Sequence, residues 1–270
     1  MKQAHLIIDI ALCHDCNNCF LACMDEHVAN DWPPYTDAQP RHGHRWMNIH
    51  RTERGQCPRI DVAYLPMPCQ HCQDAPCMKA HPDCISRRPD GIVLIDMEKA
   101  RGKKDLAKSC PYGAIYWNED HKVCQKCTLC AHLLDGDEFT QPRCAHSCPT
   151  EAIRFVMLEP AEMKKLAADE GLETYRPDLK ARPNVYYKNL YRFEKAFIAG
   201  GLIKNNDCAE NVQVTLHGPN GLTATQSTDY FGDFKFDALL PGTYRIEAQG
   251  RQVAELALGA ASVNLGNISL

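Results

Sequence analysis

The cysteines constrain this chain more than any other feature. There are sixteen in 270 residues, and fifteen of them lie between Cys13 and Cys148, with only Cys208 beyond. So many thiols mean either a disulfide framework or a set of metal ligands. Disulfides require an oxidising compartment, normally reached through a secretion signal. Residues 1–10 carry no charged-then-apolar leader and no twin arginine, and the spaced cysteines begin at Cys13. No apolar run approaches a membrane span; Ala196 to Ile203 is too short. The expectation is a cytoplasmic chain whose thiols are reduced and serve as ligands.

Spacing then selects the metal. The bacterial ferredoxin run is C-x2-C-x2-C-x3-C-P, in which three thiolates hold one [4Fe–4S] cube and the fourth reaches a neighbouring cube. Four versions of this run follow one another. The first is Cys13, Cys16, Cys19 and Cys23, with Met24 in the proline position. The second is Cys69, Cys72 and Cys77, followed by His81-Pro82 where a fourth cysteine belongs. The third keeps the spacing as Ala100, Lys103, Leu106 and Cys110-Pro111, with three ligands gone. The fourth is Cys127 and Cys130, a thirteen-residue insertion, then Cys144 and Cys148-Pro149.

The losses are mutually consistent. If run two pairs with run three, the cube of run three cannot form, because alanine, lysine and leucine do not bind iron. His81 replaces the ligand that would have served that missing cube. Cys110 serves the cube of run two, and it is present. The expected ligand sets are therefore Cys13, Cys16, Cys19 and Cys148; Cys127, Cys130, Cys144 and Cys23; and Cys69, Cys72, Cys77 and Cys110. Cys57, Cys84, Cys124 and Cys208 are left over and read as small buried hydrophobes. Two readings stay open beside this one. Zinc ribbons also use Cys-x2-Cys pairs, and Cys124-x2-Cys127-x2-Cys130 is a compact run in its own right. His81 is either a ligand or a hydrogen-bonding histidine.

The rest of the chain carries no candidate acid, base or nucleophile. The formal net charge of −4 offers no basic field for nucleic acid. The expected organisation is a three-cluster domain over 1–158, a helix and linker over 159–200, and a β-sandwich over 201–270. Pro160 to Glu170 reads as a helix closed by Gly171. A linker with Pro177 and Pro183 leads to Tyr186, Tyr187, Tyr191, Phe193 and Phe197, which either pack on the cluster domain or face another subunit. Val212, Val214 and Leu216, then Phe234 and Phe236, then Tyr244, Ile246 and Ala248, alternate with polar residues between turn signals, as in an all-β sandwich. That segment contains no cluster of titratable residues. In the 45-residue insertion between Cys23 and Cys69, the stretch Arg41 to Trp46, with Arg51 and Arg54, reads as a partner contact or as a solvated loop.

The four runs, paired one with four and two with three, resemble the electron-transfer subunits of the dimethyl sulfoxide reductase family of molybdopterin oxidoreductases. The lost third run, Cys16-Asn17-Asn18-Cys19-Phe20, Gly43 to Ile49, Val185 to Lys195 and the C-terminal sandwich narrow the resemblance to the small subunits of pyrogallol–phloroglucinol transhydroxylases. Asp229 to Tyr244 also resembles a transthyretin-like or collagen-adhesin-type repeat. The resemblance implies an α+β fold, with ferredoxin-like repeats followed by a small transthyretin/Ig-like sandwich. It further implies three [4Fe–4S] clusters and a cytoplasmic heterodimer. The large catalytic partner subunit alone would hold molybdenum and molybdopterin guanine dinucleotide and act on polyphenols. Small subunits of related resorcinol-type hydroxylases fit the same resemblance, and a free-standing polyferredoxin is the competing class.

Overall fold

The computed structural model describes residues 1–136 and 139–270; part of the insertion between Cys130 and Cys144 thus lies outside the described residues. The chain mixes short helices with many strands and forms two compact units. One comprises Met1–His50 with Tyr64–Leu190, the other Arg51–Ala63 with Tyr191–Leu270. Among the described residues no helix is long and apolar enough to cross a membrane.

The first unit is organised by the cysteine loops. The strand Gln3–Asp9 lies between Ile153–Leu158, antiparallel, and Val185–Lys188, parallel. Its residues Ala4 and Leu6 to Ile8 are fully buried, which explains an apolar run in place of alternation. Run one continues into the helix Asn18–His27, and run four into Arg143–His146; these two helices pack on each other. The helix Pro76–Ala80 of run two packs on the 3-10 turn Lys104–Ser109 of run three. The space beside run three is filled by an apolar core of Cys84, Ile95, Ala100, Leu106, Val123 and Cys124. Ala100 and Leu106, which stand at the spaced positions of run three, are both completely buried there.

The helix Pro160–Glu170 begins with a capping box, in which Glu159 and Glu162 each bond the other's backbone N–H, and it ends at left-handed Gly171. Tyr187 is fully buried; its hydroxyl donates to the Pro66 carbonyl and accepts from Gln70 Nε2. This aromatic side chain packs inside its own unit.

The second unit contains two four-stranded sheets. In one, Ala196–Lys204 pairs with Asp207–Cys208, Asp233–Leu239 and, in parallel, Val263–Ser269. In the other the order is Thr223–Ser227, Gln213–His217, Gly242–Ala248, Arg251–Leu258. One core joins them, built from Ile198, Leu202, Phe234 and Phe236 of the first and Val214, Leu216, Tyr244 and Ile246 of the second. The alternation read from the sequence is the inward face of these strands. The expectation that this segment lacks a titratable cluster is corrected: Lys235 and Asp237 join Arg54, Asp61 and Arg192 in a network of ion pairs.

Candidate iron–sulfur centres

Each cysteine run bends into its loop through left-handed residues. In run one these are Asp15 and Asn17, with φ of 55° and 61°. Asn17 tolerates this conformation and fixes it, because its side-chain amide donates to the Asp15 carbonyl at 2.8 Å and its Oδ1 accepts from Arg45. Arg45 in turn lies over the Phe20 ring, 4.1 Å from its centroid. In run four, Leu129 and Cys130 are left-handed in succession, with φ of 56° and 49°. Neither is a residue that favours that region, so the loop stores strain where its thiols must converge. The Leu129 N–H points at the Cys127 Sγ, 3.3 Å away.

The loops surround three small cavities. One is lined by Cys13, Cys16, Cys19 and Cys148. A second is lined by Cys23, Cys127, Cys130 and Cys144. The third is lined by Cys69, Cys72, Cys77 and Cys110. Every expected ligand is brought to a cavity, in the expected sets of four. Among the described residues no aspartate or glutamate lines any of the three.

The residues of the open readings lie elsewhere. Cys124 is buried in the apolar core and its thiol faces the Lys103 carbonyl at 3.4 Å. His81 caps the helix of run two and faces Asp105 at 4.0 Å. Cys84 is buried against Lys103 and the Lys99 carbonyl, as expected of a spare cysteine, but Cys57 and Cys208 are exposed and the expectation of burial is corrected for both. All sixteen cysteines are unbridged.

Electrostatics describe what the cavities are made to hold. Burial pushes the Cys19 and Cys130 thiols up to about 12 and those of Cys77 and Cys127 to about 11. Burial also raises Cys23, Cys72 and Cys144, and neighbouring thiols add to the effect in each case. Four buried thiolates around one void are unfavourable without a positively charged centre to share, and binding one releases protons. Among the described residues no three His, Cys, Asp or Glu side chains are grouped to hold a single metal ion. The thiols stand around a volume, and soft sulfur donors around a volume suit an iron–sulfur cube. Several polar atoms on the cavity walls also lack any partner: His27 Nδ1, Trp46 Nε1 and Thr128 Oγ1 at the second cavity. The residues present therefore fit the group.

The second cavity neighbours both others. The charges of Cys23 and Cys144 in the second are felt together with Cys19 of the first, and that of Cys127 with Cys69 of the third. Sequence reasoning missed the wall residues His27, Trp46 and Thr128. Trp46, which the sequence offers as a partner contact, is 1% exposed and belongs to the wall of the middle cavity. His44 and Arg54 of the same stretch are also buried, while Arg41 and His42 are exposed.

Comparison with known proteins places this geometry in a family. The family model of the 4Fe-4S dicluster domain matches residues 60–158. The small subunit of pyrogallol hydroxytransferase from Pelobacter acidigallici is 49% identical over the full length of both chains. A sulfite dehydrogenase subunit from Allochromatium vinosum is 29% identical, over 69% of this chain and 83% of its own. The iron–sulfur subunit of arsenate respiratory reductase from a Shewanella strain is 25% identical, over 71% of this chain and 98% of its own. With thiol-lined cavities, a matching cluster domain and an end-to-end relative, the chain belongs to the family of pyrogallol hydroxytransferase small subunits and is an iron–sulfur electron-transfer subunit of an oxidoreductase.

Proposed function

We propose that the chain holds three [4Fe–4S] clusters and serves a large catalytic subunit that carries molybdenum and molybdopterin guanine dinucleotide and acts on a polyphenol. The observation that carries this reading is that three cavities are each lined by four cysteines, and that the twelve thiols fall into the sets the spacing requires. The substrate class rests on the 49% identical relative, a pyrogallol hydroxytransferase small subunit. The paired runs are read as ferredoxin-like halves over 1–158, residues 159–200 as a helix and linker, and 201–270 as an Ig-like sandwich. Sixteen unbridged thiols support a cytoplasmic setting.

Bound cubes supply one-electron chemistry; the organic chemistry belongs to the partner. The chain's own residues do three things. They hold the second centre beside both others, they keep water from the second and third, whose thiols are largely buried, and they set the local field with backbone N–H groups, buried polar side chains and the Lys126 ammonium at the third cavity. Lys126 is itself buried and donates to the Val93 and Cys127 carbonyls.

The test is elemental analysis of the complex purified without oxygen from its own host. Wild type should carry about twelve irons per small chain, with molybdenum in the complex. Cys110→Ala should lose about four of those irons, whereas Cys124→Ala and His81→Ala should keep all of them. Iron lost from Cys124→Ala, or none lost from Cys110→Ala, overturns the assignment. About twelve irons with no molybdenum and no large partner would favour a free-standing ferredoxin.

A further inference from the structure

Trp46 and Thr128 lie on the wall of the middle cavity, and both are almost wholly buried, at 1% and 4% exposure. The indole Nε1–H of Trp46 can only donate, and it has no acceptor; the Thr128 hydroxyl is likewise without a partner. His27 shares the same wall, with its ring 4.8 Å from that of Trp46 and its Nδ1 unpartnered. A buried donor left without an acceptor is costly, so the Trp46 N–H, with the Thr128 hydroxyl on the same wall, points to an acceptor within the cavity.

The other two cavities differ. Among the described residues no unpartnered buried side-chain donor lines the first cavity, where Asn17 is satisfied by Asp15. At the third, the unpartnered atom is Gln70 Oε1, an acceptor, and Lys126 spends two of its three N–H donors on the Val93 and Cys127 carbonyls. An indole N–H and a hydroxyl wholly without partners lie at the second cavity. The remaining chemistry at that cavity is four thiols and what they bind.

We propose that Trp46 and Thr128 are positioning residues that donate hydrogen bonds to the sulfur atoms of the middle cluster and raise its reduction potential above what its four cysteines alone would give. A donor facing sulfur stabilises the more negative, reduced form, which is how hydrogen bonding tunes such centres. Because the middle centre adjoins both others, this tuning governs whether an electron rests there or passes on. His27 is a neutral neighbour on the same wall; burial, reinforced by the nearby His132, lowers its pKa to about 3. The inference rests on the three-cluster reading.

The experiment is a redox titration followed by electron paramagnetic resonance on the intact complex, with iron counted in parallel. The variants are Trp46→Phe, which keeps the ring and removes the N–H, and Thr128→Val, which keeps the shape and removes the hydroxyl. Each variant should keep its full iron, move one of three reduction steps to lower potential and leave the other two in place, and both should move the same step. If Trp46→Phe loses iron, Thr128→Val decides. Full iron with all steps at their wild-type potentials overturns the hydrogen-bond inference, as do shifts of two different steps. Fewer than three steps in the wild type overturns the three-cluster reading instead.

Discussion

At Asp61 three cations converge. Arg54 and Arg192 donate to its carboxylate, and the Lys235 ammonium lies 3.2 Å away. Arg54 is itself buried, bonded also to Asp237 and the Lys195 carbonyl. Burial alone would raise the Asp61 pKa, but the two arginine bonds and the lysine charge outweigh it and bring it down to about 2. A carboxylate pKa lowered in the fold stabilises above the unfolded value near 4, and that stability is lost as pH falls through 2. Asp61→Asn should therefore cost roughly 1–2 kcal/mol at pH 7, after allowance for the solvent that still reaches the pair. In urea unfolding, the gap between variant and wild type should close between about pH 4 and pH 2; a gap independent of pH would mean the charge contributes nothing. None of this was legible in the sequence. Arg54 reads there as one charge of a partner contact or a solvated loop, because its counter-ions stand 7 and 183 residues away.

Among the elements, the helix Pro160–Glu170 was legible end to end, because its signals are local: proline in the first turn and glycine after the last. Gly171 adopts φ +64°, and a Cβ added there would meet no atom within 4 Å. Any cost of Gly171→Ala is thus backbone strain without a clash, about 1 kcal/mol, and Gly171→Asn should recover part of it. Equilibrium denaturation of the three proteins measures this; equal stability of glycine and alanine would deny the left-handed cap its role. The strand Ala196–Lys204 was not legible. Its apolar run has no alternation, since it pairs with a neighbour on each side and seven of its nine residues are buried. The hairpin segment Arg51–Ala63 escaped for a related reason: what holds it is the Asp61 network, and long-range ion pairs leave no period in a sequence.

Over the whole molecule, the grouping of twelve cysteines around three cavities was legible because their spacing is short-range. What fills the space beside run three needed the structure. Ala100 and Leu106 are buried with Cys84 and Cys124, so an apolar core stands beside the one cysteine run three retains. The two units accordingly depend on iron to different degrees. The first has three thiol-lined voids through its interior, whose buried thiols resist ionisation until a positive centre compensates them. The second has a continuous core containing no cysteine; Cys57 and Cys208 are exposed. All three tryptophans, Trp32, Trp46 and Trp117, belong to the first unit and report on it alone. Anaerobic chelation of iron from the full chain should shift tryptophan emission to the red and expose the amides of Gln3–Asp9 and Ile153–Leu158 to hydrogen exchange. The amides of Ala196–Lys204, Asp233–Leu239 and Gly242–Ala248 should stay protected, since the hydrogen-bonded ladders and apolar contacts that shield them involve no ligand. Protection kept in both units would mean that the cavities stand without their clusters, whereas loss in both would mean that the second core is not self-sufficient.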